Sequence, residues 1–243
     1  MIRPERKELQ QLKESGQYKT VPLSMEILSD IKTPIEVLKI LQNVSSHCYL
    51  LESISDNEEW GRYTFLGYDP SLEITCQNGH MKAGSLSFDT KDPGHFIRQI
   101  LQEHKSPRFN YLPSFTGGLV GYFSYDYLKY AEPSLHLNAV DTEGFKDVDL
   151  MLFDKVIAFD NYRQKIILIV NIGLDHLDAE YNNGLLKLQQ MADLIRNGQA
   201  AKAQPGHCLT DFKPLFQEKE YCEMVENAKH HIKEGDIFQI VLS

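Results

Sequence analysis

Residues 48–67 read CYLLESISDNEEWGRYTFLG. The apolar run Tyr49-Leu50-Leu51 stops at Glu52 and Ser53, and a polar stretch from Ser55 to Glu59 follows. The chain returns through Trp60, its single tryptophan, into a second aromatic-rich run from Arg62 to Leu66. Two runs of β-branched, aromatic and aliphatic residues around a polar connector predict two strands. A carboxylate and a hydroxyl then sit at the mouth of the first strand, and a cation sits at the start of the second. Acid, hydroxyl and base at neighbouring strand ends suit a small zwitterion such as an amino acid. They also suit a plain hairpin with a surface ion pair, because exposed pairs are common and energetically minor.

Upstream, Pro4 to Ser15 reads as a short polar helix closed by Gly16. Tyr18 to Ile27 alternates as a strand, and Pro22 inside it points to a sheet edge or an irregular start. Thr33-Pro34-Ile35-Glu36 opens a helix: threonine caps, proline takes the first turn, and Glu36 completes a capping box. Ile35, Leu38, Ile40 and Leu41 give that helix its apolar face.

Downstream, Asn78-Gly79 between Leu72–Gln77 and His80–Ala83 is the strongest hairpin signal, since both residues tolerate positive φ. Asp92-Pro93 opens a helix whose apolar side carries Phe96, Ile97, Ile100 and Leu101. FTGGLVGYFSYDYLKY, residues 115–130, places Gly117, Gly118 and Gly121 in a strand-like run. It lacks the lysine and threonine of a P-loop and the spacing of a dinucleotide fingerprint. Close packing of two sheets accounts for the glycines. Tyr122, Tyr125, Asp126 and Tyr130 read as core aromatics with satisfied hydroxyls.

Asp149–Phe159 and Lys165–Ile172 read as two strands around Asp160-Asn161. Residues 178–197 form the clearest helix, with Leu185, Leu188, Met191, Ala192 and Ile195 at helical spacing and Gly198 as C-cap. Gln199 to Pro214 is polar and includes Pro205-Gly206, as a linker does. Glu218–Glu234 is a further helix, and Ile237–Ser243 an apolar strand without a following partner. An open terminal strand of this kind is an aggregation liability, so the chain reads as a fragment cut inside a sheet. Hairpins and the glycine-rich strand together predict an α+β fold of two packed, mainly antiparallel sheets with helices outside, truncated.

Composition narrows the function classes. Across 243 residues, 42% apolar and 24% charged residues are ordinary for a globular protein. A formal charge of −9 argues against non-specific binding to nucleic acid or an anionic membrane. No apolar run is long enough to span a bilayer, and MIRPERKELQQL is too charged for a signal peptide. Cys48, Cys76, Cys208 and Cys222 are scattered and read as buried free thiols of a reducing cytoplasm. His230 and His231 are sequential and point apart, so they do not make a metal-binding pair.

LLES followed by WGRYTFLG and Asp69-Pro70 resembles the N-terminal region of the anthranilate synthase component I family. FTGGLVGYFSYDYLKYAE resembles its GGxxGYxxYD segment. EYCEMVENAKHHIKEGDIFQIVLS resembles the segment that opens its chorismate-binding half. The resemblance implies a regulatory domain over 1–200, a linker over 201–215 and the start of a catalytic domain over 216–243. It implies synthesis of anthranilate and pyruvate from chorismate and ammonia, with feedback inhibition by L-tryptophan. It further implies Mg2+ and a glutamine amidotransferase subunit as partner.

Glu52 and Ser53 match the family's tryptophan-binding pair, and Leu51 and Ile54 flank it. Arg62, aligned across one gap, falls where the family has a basic residue near the ligand carboxylate. Catalytic and metal-binding residues of the family lie beyond Ser243, so none is assigned here, and Gln239 and Ser243 receive no catalytic role. The segment is therefore expected to be inactive alone and to bind tryptophan very weakly or not at all. Two other identities stay open: the large subunit of aminodeoxychorismate synthase, and a stand-alone amino-acid-binding module.

Overall fold

The computed structural model describes residues 2–52, 61–132, 134–135, 141–202 and 206–242. Ser53 and Ile54 of the expected ligand grip lie outside the described residues. The chain divides into two units, Met1–Lys202 and Ala203–Ser243.

The first unit holds two sheets. One contains β1 (Ile2–Arg3), β2 (Thr20–Leu28), β3 (Cys48–Leu51), β4 (Tyr63–Tyr68), β10 (Lys155–Asp160) and β11 (Lys165–Gly173), in the order β1-β2-β11-β10-β4-β3. The other contains β5 (Leu72–Gln77), β6 (His80–Ala83), β7 (Leu86–Asp89), β8 (Gly118–Phe123) and β9 (Val148–Phe153), in the order β7-β6-β5-β9-β8. Every pairing is antiparallel. Helices α1 (Arg6–Ser15), α2 (Pro34–Leu41), α3 (Pro93–Glu103) and α4 (Leu177–Asn197) complete the unit. The predicted α+β class, with antiparallel sheets and helices, is the one observed.

Strand periodicity explains the core. Along β11, Ile166, Leu168, Val170 and Ile172 face Leu9, Val37, Leu41, Leu188, Met191, Ala192 and Ile195 of α1, α2 and α4. The intervening Ile167 and Ile169 face the other way, with Val156 and Ala158 of β10, onto Leu112 and Phe115. Both faces of these strands are covered, which is why they read as unbroken apolar runs rather than as alternations. Burying each such side chain contributes about 1.5–3 kcal/mol. The second sheet has its own core, in which Ile97 and Ile100 of α3 meet Ile74, Cys76, Met81, Val148 and Leu150.

The local signals act as their chemistry requires. Thr33 and Glu36 form the complete capping box. Asn78 and Gly79, at φ 50° and 80°, close the β5–β6 hairpin between Gln77 and His80. Pro22 stands opposite Asn171, whose N–H goes to Asp154 O on the β10 side. The Pro22–Asn171 pair therefore exchanges no ladder bond, and β1 pairs only with Ser24 and Met25. The missing N–H of the proline costs the sheet nothing there.

Several expectations are corrected. Asp149–Phe159 is not one strand: β9 belongs to one sheet, β10 to the other, and Asp154 alone joins them. Apolar runs lie on both sides of the crossing, and only the polar pair Asp154-Lys155 marks it. Gly121 is required by its own sheet rather than by sheet packing, because a Cβ there would lie 2.0 Å from Asp149 O on the adjoining strand. At Gly117 the expected sheet-to-sheet approach is found, with a Cβ 2.4 Å from Asn171 Nδ2. Gly198 caps α4 with φ −65° rather than in the left-handed region. Its place is fixed by crowding, since a Cβ would meet Leu194 O and Ile40 at 2.3 and 2.4 Å. Leu101 lies on the exposed side of α3.

In the second unit, α5 (Glu218–Glu234) begins at a Gln217–Glu220 capping box and ends at left-handed Gly235. Only Ala228 of this helix is buried. Cys208 and Cys222 are exposed rather than buried, because this unit has little interior. Residues 237–242 form no strand, as they find no pairing partner among the described residues.

Candidate functional site

β3 and β4 pair from Cys48↔Tyr68 to Leu51↔Phe65. That register leaves Glu52 and Arg62 at the open end of the pair. Tyr49 sets the position of β3: its ring lies where a Cβ on Gly67 would be, 2.1 Å away. It also meets Phe153 and Phe115 edge-on, at centroid distances of 4.7 and 6.4 Å. Burial raises the Tyr49 phenol well above its usual range. Leu51 and Glu52 are both exposed.

Arg62 is held more firmly than a surface cation. Its Nε donates to Asp160 Oδ1 at 3.0 Å and its Nη2 to Asp160 Oδ2 at 2.6 Å. The Asp160 side chain is 2% exposed, that of Arg62 28%. Asp160 also accepts the Arg163 N–H at 3.0 Å, and Asn161 N donates to Arg62 O at 2.9 Å. Burial alone would raise the Asp160 carboxyl, but the hydrogen bonds from Arg62 and Arg163 outweigh it and hold the group below its ordinary value. The Arg62 guanidinium lies 4.8 Å from the Tyr63 ring centre and 5.9 Å from that of Tyr162.

The structure thus places Leu51, Glu52 and Arg62 at one end of the β3–β4 pair. It adds Asp160, Tyr63 and Tyr162, which sequence reasoning did not single out. In the sequence, Asp160 reads only as a turn residue beside Asn161. Its signal was a carboxylate closing the apolar strand VIAFD, where burial demands a partner.

A second polar centre lies in the other sheet. Asp147 is 4% exposed. Its Oδ2 accepts Asn78 N and the Tyr130 hydroxyl, both at 2.7 Å, and its Oδ1 accepts Lys129 Nζ at 2.7 Å. The Tyr130 oxygen in turn accepts Gly79 N at 2.6 Å. Burial first, then the bond to Asp147, raises the Tyr130 phenol. Of the aromatic cluster expected to be core, Tyr130 meets that description. Tyr122 and Tyr125 are exposed instead, on a cleft of about 830 Å3 that Asp126 and Lys129 also line.

Among the described residues no three His, Cys, Asp or Glu side chains come together to hold a metal. His231 bonds Asp236 at 2.8 Å, and His230 lies 4.0 Å from Glu234. No helix of the described residues is long and apolar enough to cross a membrane.

The chorismate binding enzyme family matches residues 13–243. Anthranilate synthase component 1 of Acinetobacter calcoaceticus is 32% identical over 96% of this chain and 48% of its own length. Anthranilate synthase alpha subunit 2, chloroplastic, of Oryza sativa subsp. japonica is 32% identical over 94% of the chain and 42% of its own. The crystal structure of anthranilate synthase component I from Streptococcus pneumoniae TIGR4 is similar with a TM-score of 0.53 and 28% identity. That match covers 86% of this chain and 46% of that one. The chain spans about half the length of the curated relatives it matches.

Proposed function

Because the chain belongs to the chorismate binding enzyme family, we propose that the protein carrying it works as anthranilate synthase component I. It converts chorismate and ammonia to anthranilate and pyruvate. This chain supplies the tryptophan-sensing part, with Glu52 and Ser53 as the grip and Leu51 and Ile54 beside it. Arg62 takes the ligand carboxylate. Alignment with anthranilate synthases over more than nine-tenths of the chain carries the proposal.

Tryptophan inhibits by favouring a state that handles chorismate or ammonia poorly. Such coupling between two sites is typically about 1–3 kcal/mol. A glutamine amidotransferase subunit supplies the ammonia, and the protein acts in the cytoplasm, where its four cysteines stay free. Magnesium belongs to the proposed whole enzyme. Among the described residues no three His, Cys, Asp or Glu side chains come together to hold it.

The test is anthranilate fluorescence from the full-length protein with chorismate and an ammonia source. Anthranilate as product, suppressed by L-tryptophan, is the expected result. Aminodeoxychorismate as product would move the protein to the neighbouring activity. Ser53→Ala should raise the half-inhibitory tryptophan concentration roughly tenfold or more. Loss of turnover in the same proportion would give Ser53 a structural role instead.

A further inference from the structure

Arginine carries five N–H donors on two usable edges: a side edge of Nε and Nη2, and an end edge of Nη1 and Nη2. Asp160 occupies the side edge of Arg62, through Nε at 3.0 Å and Nη2 at 2.6 Å. Among the described residues nothing bonds Nη1, and the side chain keeps 28% exposure. The plane of the fork is constrained further by Tyr63 at 4.8 Å and Tyr162 at 5.9 Å. Its backbone is tied to the same hairpin through Asn161 N. A guanidinium fixed by one edge, with its second fork open, is preorganised for one more planar anion.

We infer that Asp160 and Tyr162 are positioning residues that hold Arg62 to receive the carboxylate of a free amino acid. This rests on the effector reading above and adds to it the group that sets selectivity. Asp160 does not touch the ligand. It removes the rotamer freedom that an exposed arginine would lose on binding, and it fixes which edge is offered. Tyr162 is 68% exposed, so its ring contributes by covering the guanidinium rather than by building the core.

The experiment compares L-tryptophan with L-tryptophanamide, which keeps the indole and the amine but has no carboxylate. Half-inhibitory concentrations of both are measured on the full-length protein. The wild-type protein should prefer tryptophan by roughly tenfold or more, the scale of a charge-assisted bidentate contact. Asp160→Asn and Arg62→Lys should bring that preference down to about threefold or less, mainly by weakening tryptophan. Tyr162→Leu, which leaves the core untouched, should narrow it by about threefold, the scale of an exposed cation–π contact. It carries the test if Asp160→Asn fails to fold.

An unchanged preference in these variants overturns the inference. Equal weakening of both ligands also overturns it, because a purely structural role moves both together. A wild-type protein inhibited by neither compound would remove the effector reading itself. Inhibition by tryptophan with no change on substitution removes this inference alone.

Discussion

Asp147 and Asp160 are both buried aspartates next to a strand end, each holding a cation, one in each sheet. Their surroundings differ. Asp147 collects Asn78 N–H, the Tyr130 hydroxyl and Lys129, and Tyr130 passes on to Gly79. Donors from a hairpin turn and a 3-10 helix (Tyr125–Tyr130) converge on one carboxylate. The knot is closed and serves the fold. Asp160 takes Arg62 by a single edge, and among the described residues the other fork has no partner. The same residue type thus makes a structural tie in one sheet and, on the reading proposed above, an oriented receptor in the other. What separates them is the shape of what is left over: Lys129 also donates to Asn78 Oδ1 at 3.3 Å, whereas Arg62 keeps a two-donor edge with no partner among the described residues.

The contrast can be tested from the larger effect down. Asp147→Ala should cost about 4 kcal/mol in urea unfolding of this chain, because it strands a buried N–H, a hydroxyl and a part-buried ammonium. Asp160→Ala should cost about 3 kcal/mol, since Arg62 can turn toward water. A larger loss at Asp160 would break the distinction. Tyr130→Phe should cost about 1.5 kcal/mol by removing the acceptor of Gly79 N–H, with the same unfolding measurement as readout. Thr33→Ala, remote from both centres, should cost about 1 kcal/mol as a lost N-cap and calibrates the scale.

The smallest effect is in pH. The Asp160 carboxyl is held below its ordinary value, so the folded state binds its proton later than the unfolded one. Its contribution is complete above the unfolded carboxylate pKa of about 4 and disappears as pH falls through the lower folded value. Wild-type stability should therefore fall more steeply than that of Asp160→Asn on acidification below that pH. Parallel curves would show that the ion pair contributes nothing to folding.

Much of this fold could be read from local chemistry. The Thr33 box, the Asn78-Gly79 turn and the helical spacing from Leu185 to Ile195 each act through neighbours a few residues away. The misread features depend on contacts distant in sequence. Gly121 answers to Asp149, and the break inside Asp149–Phe159 depends on which sheet each half joins. At the candidate site, Glu52 and Arg62 were legible because strand ends and charge can be read along the chain. Asp160 was not, because its partner lies 98 residues away and only register brings them together. Exposure of Cys208 and Cys222 was missed for a related reason: burial depends on an interior that sequence neighbours do not reveal.

The one-residue passage at Asp154 has a mechanical consequence. β9 forms part of the sheet that carries the Asp147 knot, and β10 ends at the aspartate gripping Arg62. Two peptide steps, at most about 7 Å from Phe153 to Lys155, leave little slack between them. Sliding β10 along its neighbours would drag β9 with it, so the chain here works as a tie-rod between the sheets rather than as a loop.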